Sequence, residues 1–261
     1  MTRITTWNVN SLRVRLPQVL AWLKADSADL LAVQETKVED EGFPRSEIEA
    51  AGYHVLYCGE KTYNGVALIS RTPVTDPCFE LDPADPQRRF IAATLGGVRI
   101  INVYVPNGSE VGSEKYAYKL RWLEHLGRYL MSARVRYKHV IVLGDFNIAP
   151  EDRDVHDPAT WFGSVLVSEP EREAFRCLLQ AGFVDLFRIF CADGGCFSWW
   201  DYRAGAFRRN LGLRIDHILA TETVAACCRR CYIDPAPRGN TRPSDHAPVV
   251  AEFDGLAMLG A

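Results

Sequence analysis

An apolar run that stops abruptly at polar residues constrains this chain more than any other feature. Val140–Leu143 is followed at once by Gly144, Asp145 and Asn147. The run has the length of a buried strand, and the glycine lets the backbone turn closely where the strand ends. Asp145 and Asn147 are two residues apart, so in an extended chain they project to the same side. A carboxylate and an amide on one wall can bind a cation or orient a water, although a simple Asx turn is the plainer alternative.

Length and composition indicate one globular domain. The chain has 261 residues, of which 48% are hydrophobic and 24% charged. Single α/β domains often reach this length and bury about three quarters of their unfolded surface, so no disulfide or structural metal is required. We predict a single domain over residues 1–254 and a flexible C-terminal tail over 255–261. We find no secretory signal and no apolar stretch near the roughly 18 residues of a membrane span, so we expect a cytoplasmic protein without membrane contact.

The charges are unevenly distributed although the net charge is only −3. From Asp145 to Glu173 there are eight acidic residues and two arginines, whereas from Asp201 to Arg242 there are eight arginines and four acidic residues. An acidic segment that can hold metal beside a basic, aromatic segment suits an enzyme that acts on a phosphodiester. The chain also has eight cysteines. They do not complete a zinc set, so we expect reduced thiols that mostly pack.

Hydrophobic periodicity predicts about ten strands interrupted by four helices. The predicted strands are Arg3–Val9, Asp29–Gln34, Tyr53–Cys58, Val66–Ser70, Phe90–Leu95, Val98–Val105, Val140–Gly144, Val184–Ile189, Leu213–Ala220 and Val249–Phe253. The predicted helices are one with Pro17 in its first turn, Ser46–Ala51, Ser113–Arg136, and one from a capping box at Ser168 and Glu171 to Gly182. Because many strands are joined directly as hairpins, we predict two mixed sheets packed face to face with helices outside.

Strand ends and adjacent loops supply nine polar residues that could converge on one site. They are Asn8, Asn10, Glu35, Tyr104, Asp145, Asn147, Asp216, Asp245 and His246. Each has a plainer explanation on its own, such as a turn former, a surface acid or a packed aromatic. Asp216 stands apart because a charge in an apolar strand is costly to bury unless it is paired. His246 is its candidate partner, since an Asp–His pair fixes the imidazole tautomer and raises its basicity.

These residue types favour metal-assisted hydrolysis. No serine elbow or catalytic-cysteine pattern is evident, so a water nucleophile is expected rather than a covalent one. Carboxylate and carbonyl oxygens suit Mg²⁺ or Mn²⁺ rather than zinc. Asn and Asp side chains near a His can orient and deprotonate a water, and a tyrosine hydroxyl can stabilise charge on phosphate oxygens.

Seven motifs in order closely resemble the exonuclease III family of DNA-repair nucleases. They are Trp7–Asn10, Gln34–Lys37, Asn102–Asn107, Gly144–Ala149, Trp200–Arg203, Gly212–Asp216 and Ser244–Pro248. The resemblance extends from about Thr2 to Phe253. It implies a four-layered α/β sandwich, a divalent metal that is usually Mg²⁺, and hydrolysis of DNA phosphodiesters at abasic sites or from 3′ ends. The implied partner is double-stranded DNA with abasic sites, nicks or damaged 3′ ends, and a monomer is the default assembly.

The resemblance also implies a metal-ligand set. Glu35 corresponds to the principal ligand, with Asn10 and Asp245 nearby. Asp145 and Asn147 correspond to groups that orient water and phosphate beside the ion. Some relatives carry Asp where this chain has Asn10, which leaves direct ligation by Asn10 open.

Further roles follow from the same resemblance. Asn8 corresponds to another water- or phosphate-orienting group, and Tyr104 to the residue that stabilises the transition state. His246, paired with Asp216, corresponds to a phosphate-binding or base-supporting group. Whether the general base is Asp145 or His246 stays open from the sequence.

Expected DNA contacts come from the aromatic and basic segment. Trp200 corresponds to an aromatic that lines the abasic pocket in relatives. For Trp199, packing in the core is as compatible with the sequence as insertion into DNA. Arginines there can hold phosphates, although ordinary surface charge is the alternative. The residues assigned to DNA are Trp200, Phe207, Arg203, Arg208, Arg209 and Lys37.

One loop departs from the abasic endonucleases of the family. Val155–Ser168 replaces an Asn-rich, Gly-containing segment and carries the bulky residues His156 and Trp161. We hypothesise that one of them narrows the pocket and favours 3′-terminal repair over internal abasic cleavage. A length-tolerant surface loop is the alternative.

Three other functions compete with a general repair nuclease. One is a 3′-end-specific nuclease with little abasic endonuclease activity. Another is a phosphoinositide phosphatase of the same superfamily, against which the motifs Trp200–Arg203 and Gly212–Asp216 and the arginine-rich segment argue. The third is a non-catalytic DNA-binding module, which the intact set of polar residues disfavours.

Overall fold

A computed structural model of the chain describes residues 1–26 and 28–256. In chain order its strands are β1 (Thr2–Asn8), β2 (Leu30–Gln34), β3 (His54–Cys58), β4 (Val66–Ser70), β5 (Thr75–Cys78), β6 (Phe90–Leu95), β7 (Val98–Tyr104), β8 (Val140–Asp145), β9 (Phe183–Asp185), β10 (Trp199–Trp200), β11 (Gly212–Leu213), β12 (Asp216–Thr221), β13 (Cys228–Ile233) and β14 (Val249–Phe253). The helices are α1 (Leu12–Asp26), α2 (Arg45–Ala50), α3 (Glu114–Arg136), α4 (Pro158–Trp161), α5 (Glu169–Gln180), α6 (Leu186–Phe190) and α7 (Glu222–Ala225).

The strands form two six-stranded mixed sheets and one small ribbon. The first sheet has the order β13-β14-β1-β2-β4-β3, and the second has the order β5-β6-β7-β8-β12-β9. Strand β1 runs parallel to β2 and β7 runs parallel to β8, while the other pairs are antiparallel. Strands β10 and β11 form a separate two-stranded ribbon.

The two sheets pack face to face and carry helices on their outer faces. The core between the sheets includes Ile4, Leu30, Leu68, Ile100, Leu143 and Ile218. Helices α1 and α2 cover the outer face of the first sheet, whereas α3 and α5 cover the outer face of the second. These layers confirm the predicted four-layered α/β sandwich.

The ends of four central strands meet at one edge of the sandwich. In the second sheet Asp145, the last residue of β8, pairs with Tyr104 at the end of β7 and with Asp216 at the start of β12. In the first sheet Asn8 at the end of β1 pairs with Gln34 at the end of β2. Since the sheets are stacked, these strand ends form the floor of a single cleft.

The first helix begins earlier than the sequence predicts. It starts at Leu12, so Pro17 lies in its second turn rather than its first. The backbone enters the helix through Asn10 and Ser11 at φ values of 43° and 89°. The amides of Ser11 and Leu12 donate to carbonyls of the loop after β2, which anchors the start of the helix upstream of the proline.

Two predicted strands are wrong in part. Val184–Ile189 is a strand only through Asp185 and then becomes α6. Leu213–Ala220 is interrupted at Arg214, which makes Asp216 the first residue of β12 rather than its middle. The sequence prediction also missed β5, β10 and β13, which are short or rich in charged residues.

Most of the predicted tail lies outside the described residues. Gly255 and Leu256 are described, and Leu256 is buried against the core between the sheets. Residues 257–261 are not described, so the tail remains a prediction, as does the single domain. No helix in the described ranges is long and apolar enough to cross a membrane. All eight cysteines are free thiols.

Candidate active site

Asn8 connects the two carboxylates at the floor of the cleft. Its Nδ2 donates to Glu35 Oε1 at 2.8 Å and to Asp145 Oδ2 at 2.9 Å. Glu35 follows β2 with a φ of +53°, so the chain turns sharply there. One ligand atom each from Glu35, Asp145 and His246 lies within 4.8 Å of the others. These donors fit a cation that prefers oxygen, because two carboxylates face each other across a short gap.

A glycine inside β8, which lets the strand approach β7 closely, and an Asx turn after β8 together place Asp145. Gly144 has a φ of +147°, and a Cβ there would lie 1.9 Å from the Val103 carbonyl oxygen. The backbone N–H of Asn147 then donates to Asp145 Oδ1 at 2.9 Å, which closes an Asx turn. The Asx turn offered by the sequence as the plain alternative is therefore present, and Asp145 Oδ2 faces Asn8, His246 and the Asn147 Nδ2, which lies 3.3 Å away.

The predicted pair of His246 and Asp216 forms. His246 Nδ1 lies 2.9 Å from Asp216 Oδ2, and its Nε2 lies 3.8 Å from Asp145 Oδ2. Ser198 fixes the strand below, since its hydroxyl accepts from the amides of Ile215 and Asp216. The imidazole thus lies between two buried carboxylates.

Burial and charge set the protonation of this pair. Burial disfavours the imidazolium, but the carboxylates of Asp216, Asp145 and Asp245 outweigh it and raise the pKa of His246 to about 10. Burial raises the pKa of Asp145 to about 7, although the His246 charge acts in the opposite direction. At neutral pH His246 is therefore a cation and Asp145 is close to half-protonated.

A second group of polar residues continues the cleft. Asn10 Nδ2 donates to Asp245 Oδ1 at 2.9 Å. Lys37 Nζ lies 2.6 Å from Asn10 Oδ1 and 2.7 Å from Glu35 Oε2. Glu35 and Asp245 are therefore joined through Lys37 and Asn10 within one cleft. Lys37, which the sequence assigned to DNA, thus contacts two of the predicted metal ligands.

Tyr104 lies beside Glu35 at the end of β7. The Arg89 guanidinium lies 4.5 Å from the centre of its ring. Burial, with the nearby Glu35 carboxylate, raises the pKa of Tyr104 well above its usual value. Its hydroxyl is therefore protonated at neutral pH and can donate a hydrogen bond.

Trp199, rather than Trp200, is the tryptophan that reaches the cleft. Trp199 Nε1 donates to Asp245 Oδ2 at 2.9 Å. Trp200 is only 3% exposed and packs edge-on against Phe207 at 5.1 Å. The assignment of Trp200 to the pocket is corrected accordingly, and Phe207 is better described as its packing partner. The sequence offered no signal that separated these neighbouring tryptophans.

The predicted basic contacts lie on the surface. Arg203 pairs with Asp201 at 2.7 Å, and its side chain is 88% exposed. Arg208 and Arg209 are exposed as well. Sequence reasoning missed Tyr202 and Arg15 as site residues. The Tyr202 hydroxyl lies 3.3 Å from Asn10 Nδ2, and Arg15 donates to it at 3.2 Å.

The divergent loop over residues 155–168 packs on the same apolar cluster as Trp199. His156 uses its backbone amide and its Nδ1 to contact the Gly212 carbonyl, each at 3.1 Å. Trp161 lies edge-on to His156, with 6.2 Å between ring centres. Trp161 and Trp199 both pack on one apolar cluster that contains Leu213. The loop is therefore continuous with the wall of the cleft.

Two stacked mixed sheets with carboxylates, amides and an Asp–His pair at one edge define a metal-dependent hydrolase. The sequence model of the Endonuclease/Exonuclease/phosphatase family matches residues 5–246, so the chain belongs to that family.

Its relatives cover almost the whole chain. It is 35% identical to an exodeoxyribonuclease of Bacillus subtilis (strain 168) over 254 residues, which is 95% of this chain and 97% of the relative. The 3′ phosphatase NExo from Neisseria, solved with a product DNA hairpin, is 46% identical with a TM-score of 0.96, over 97% of this chain and 100% of that one. An AP endonuclease from Archaeoglobus fulgidus is 43% identical with a TM-score of 0.94, again over 97% and 100%.

Proposed function

We propose that this protein is a divalent-metal-dependent DNA-repair phosphodiesterase. It hydrolyses duplex DNA at abasic sites and removes nucleotides or blocking groups from 3′ ends. The observation that carries the proposal is the contact of Asn8 with both Glu35 and Asp145, next to His246. Relatives that resemble the chain over nearly their full length act on DNA by name.

The metal is proposed to be Mg²⁺, with Mn²⁺ able to replace it. Glu35 and Asp145 would hold it, with Asn10, Asn147 and Asp245 as further groups of its surroundings. Asn147 Nδ2 is 3.3 Å from Asp145 Oδ2, and Asn10 and Asp245 are linked to Glu35 through Lys37. A bound cation of this kind supplies charge stabilisation on phosphate oxygens. Two carboxylates and amide oxygens, with no thiolate, make the set better suited to these ions than to zinc.

The proposed proton acceptor is Asp145 rather than His246. A base must be unprotonated at working pH, and the pKa of Asp145 is raised to about 7 while that of His246 is raised to about 10. Asp145 therefore takes a proton from water, and the His246 cation binds a phosphate oxygen. Asn8 and Asn147 orient the water and the phosphate, and the Tyr104 hydroxyl donates to a developing charge.

The balance between abasic and 3′-end substrates is proposed to depend on the divergent loop. Relatives of both kinds are about equally similar, at 46% for the 3′ phosphatase and 43% for the AP endonuclease. His156 and Trp161 extend the wall formed by Trp199, which supports a narrowed pocket and preference for 3′ ends. Changing His156 to glycine should then raise abasic cleavage relative to 3′-end trimming. An unchanged ratio would leave the loop without this role.

The decisive experiment uses three labelled duplexes with purified protein and Mg²⁺. They carry an internal abasic site, a recessed 3′ end and a 3′-phosphate. We expect product on at least the 3′-end substrates, loss of product in EDTA, and loss in Asp145→Asn. Binding without product would indicate a DNA-binding module. Phosphate release from inositol lipids without DNA cleavage would indicate a lipid phosphatase. Sedimentation of the protein alone and with duplex tests the proposed monomer.

A further inference from the structure

The turn after Asp145 is held from behind by buried side chains. Asn147 has a φ of +50°, a conformation that L residues seldom adopt. Three donors meet the successive carbonyls of this turn. Lys119 Nζ lies 2.7 Å from Asn147 O, His217 Nε2 lies 2.9 Å from Ile148 O, and Arg172 Nε lies 3.1 Å from Ala149 O. Asn adopts this conformation more readily than most residues, and the three donors hold it in the one arrangement that places its side-chain amide 3.3 Å from Asp145 Oδ2.

Lys119 contributes most to this support. It is fully buried, and its ammonium has three partners: Asn147 O, Asn107 O at 3.1 Å, and the Glu171 carboxylate. The side chains of the two asparagines are joined in turn, since Asn107 Nδ2 donates to Asn147 Oδ1 at 3.1 Å. Asn147 Nδ2 donates to the Val105 carbonyl at 3.0 Å and lies 3.3 Å from Asp145 Oδ2. The Lys119 ammonium thus holds the backbones of both asparagines, whose mutual hydrogen bond fixes the oxygen side of the Asn147 side-chain amide.

Glu171 connects this support to the divergent loop. Its Oε1 accepts from the Leu166 amide at 3.0 Å, and its Oε2 accepts from the Ser168 amide at 3.1 Å. Leu166 also has a positive φ, of 76°. Its carbonyl accepts from the Ala149 amide at 2.7 Å, so the end of the loop and the active-site turn share a direct bond. A displacement of the loop end would therefore alter the contacts of Asn147.

We propose that Lys119 is a positioning residue that orients Asn147, and that its ion pair with Glu171 couples the loop over residues 155–167 to the active site. The inference deepens the proposed nuclease function and rests on it. A structural bridge between α3 and α5 alone would need only the two charges, and an apolar pair would serve as well. Such a bridge leaves unexplained why Lys119 also donates to the carbonyls of Asn107 and Asn147.

The test compares Lys119→Met with a control on the same helix. Leu130 is buried on α3 in the apolar cluster between that helix and the second sheet and carries no polar side-chain group, so Leu130→Ala tests the effect of lost packing. Both variants are assayed on a recessed 3′ end, each well below its own unfolding temperature. We expect Lys119→Met to lower kcat about 100-fold with KM within about threefold, because the lost interaction orients a group in the transition state. Leu130→Ala should keep kcat within about threefold.

Two further variants remove ambiguity about folding. Lys119→Met combined with Glu171→Gln leaves no unpaired buried charge, and should recover stability without recovering kcat. Lys119→Arg keeps a donor for the carbonyls and should recover part of kcat. Recovery of kcat together with stability in the double variant would overturn the proposal, since it would make the pair purely structural.

Combination with Asn147→Ala shows whether Lys119 acts through that amide. If it does, the double variant Lys119→Met/Asn147→Ala should have a kcat within about threefold of Asn147→Ala alone. If the double variant instead lost kcat by the product of the two single losses, the proposal would be overturned. Glu171→Gln alone should also change the ratio of abasic to 3′-end cleavage, and an unchanged ratio would overturn the coupling to the loop. Wild-type protein that cleaves none of the duplexes would instead overturn the nuclease function itself, which separates the two failures.

Discussion

At the scale of single residues, Trp199 and Trp200 show how neighbouring side chains divide two tasks. Successive residues of a strand face opposite sides. Trp199 turns its Nε1 toward Asp245 in the cleft. Trp200 packs its ring in an apolar cluster with Phe197, Ala206 and Ala247 and turns its Nε1 toward the Oδ1 of the exposed Asn210 at 3.1 Å. One indole thus orients a carboxylate of the site, and the other supports the segment that carries it.

Phenylalanine at each position should separate these tasks. Trp199→Phe removes the donor to Asp245, so we expect kcat/KM to fall about tenfold with little loss of stability. Trp200→Phe leaves Asn210 without its donor and opens space in a buried cluster, so unfolding should become easier by about 1–3 kcal/mol with little change in rate. Steady-state cleavage and urea unfolding measure the two effects. Equal losses of rate in the two variants would contradict this division.

The sequence could predict the convergence of the polar residues but not this division. Asn8, Tyr104 and Asp145 end predicted strands, and strand ends at one edge of a sheet lie together. The pairing of His246 with Asp216 was predictable because a buried carboxylate needs a partner. Alternation shows that Trp199 and Trp200 face opposite sides, but which side is the cleft depends on the ribbon of β10 and β11, whose two-residue strands carry no periodic signal.

At the scale of elements, the segment Val184–Ile189 shows why short apolar runs are ambiguous. Such a run is compatible with a strand or a buried helix, and its periodicity does not distinguish them. Here Asp185 decides the outcome. Its Oδ1 accepts from the Phe187 amide at 3.1 Å, which caps α6, and its Oδ2 lies 2.8 Å from Arg214 Nη2. A contact from a distant part of the chain thus favours a helix start where the local pattern favours a strand.

Two substitutions at Asp185 should distinguish the cap from the ion pair. Asp185→Asn keeps a good N-cap and removes the charge, whereas Asp185→Ala removes both. We expect a loss of about 1–2 kcal/mol for the first, since Arg214 keeps Asp154 as a partner, and about 1 kcal/mol more for the second. Chemical unfolding measures both. If the two variants were equally stable, the cap would not contribute to the start of α6.

At the scale of the whole molecule, the buried carboxyl group of Asp145 makes the stability of the fold depend on pH. The pKa of Asp145 is about 7 in the folded chain, whereas an unfolded Asp titrates near 4. Between these values the folded state holds a proton that the unfolded state has released. Through Asp145, stability therefore falls as pH rises from about 4 to about 7 in the absence of metal. The loss is on the order of 2 kcal/mol, because His246 shares the titration. His246 acts in the same direction between about pH 6.5 and about pH 10, because its pKa is also raised in the folded chain.

The titration of Asp145 should make the stabilisation by Mg²⁺ depend on pH. In EDTA, wild-type protein should lose stability between pH 5 and pH 8, and Asp145→Asn should lose about 2 kcal/mol less, because it has no carboxyl group to titrate at that position. Mg²⁺ at tenfold its Kd should add about 1.4 kcal/mol at pH 8 and clearly less at pH 5.5, where the proton on Asp145 competes with the ion. Urea unfolding at both pH values, with EDTA or with Mg²⁺, measures the free energy of unfolding of each protein under these four conditions. The same Mg²⁺ effect at both pH values, or in Asp145→Asn and wild type alike, would show that Asp145 neither binds the ion nor carries the proton.

Since Lys37 contacts Glu35 and Asn10 rather than Asp145, Lys37→Met is the matched control and should keep the pH dependence in EDTA.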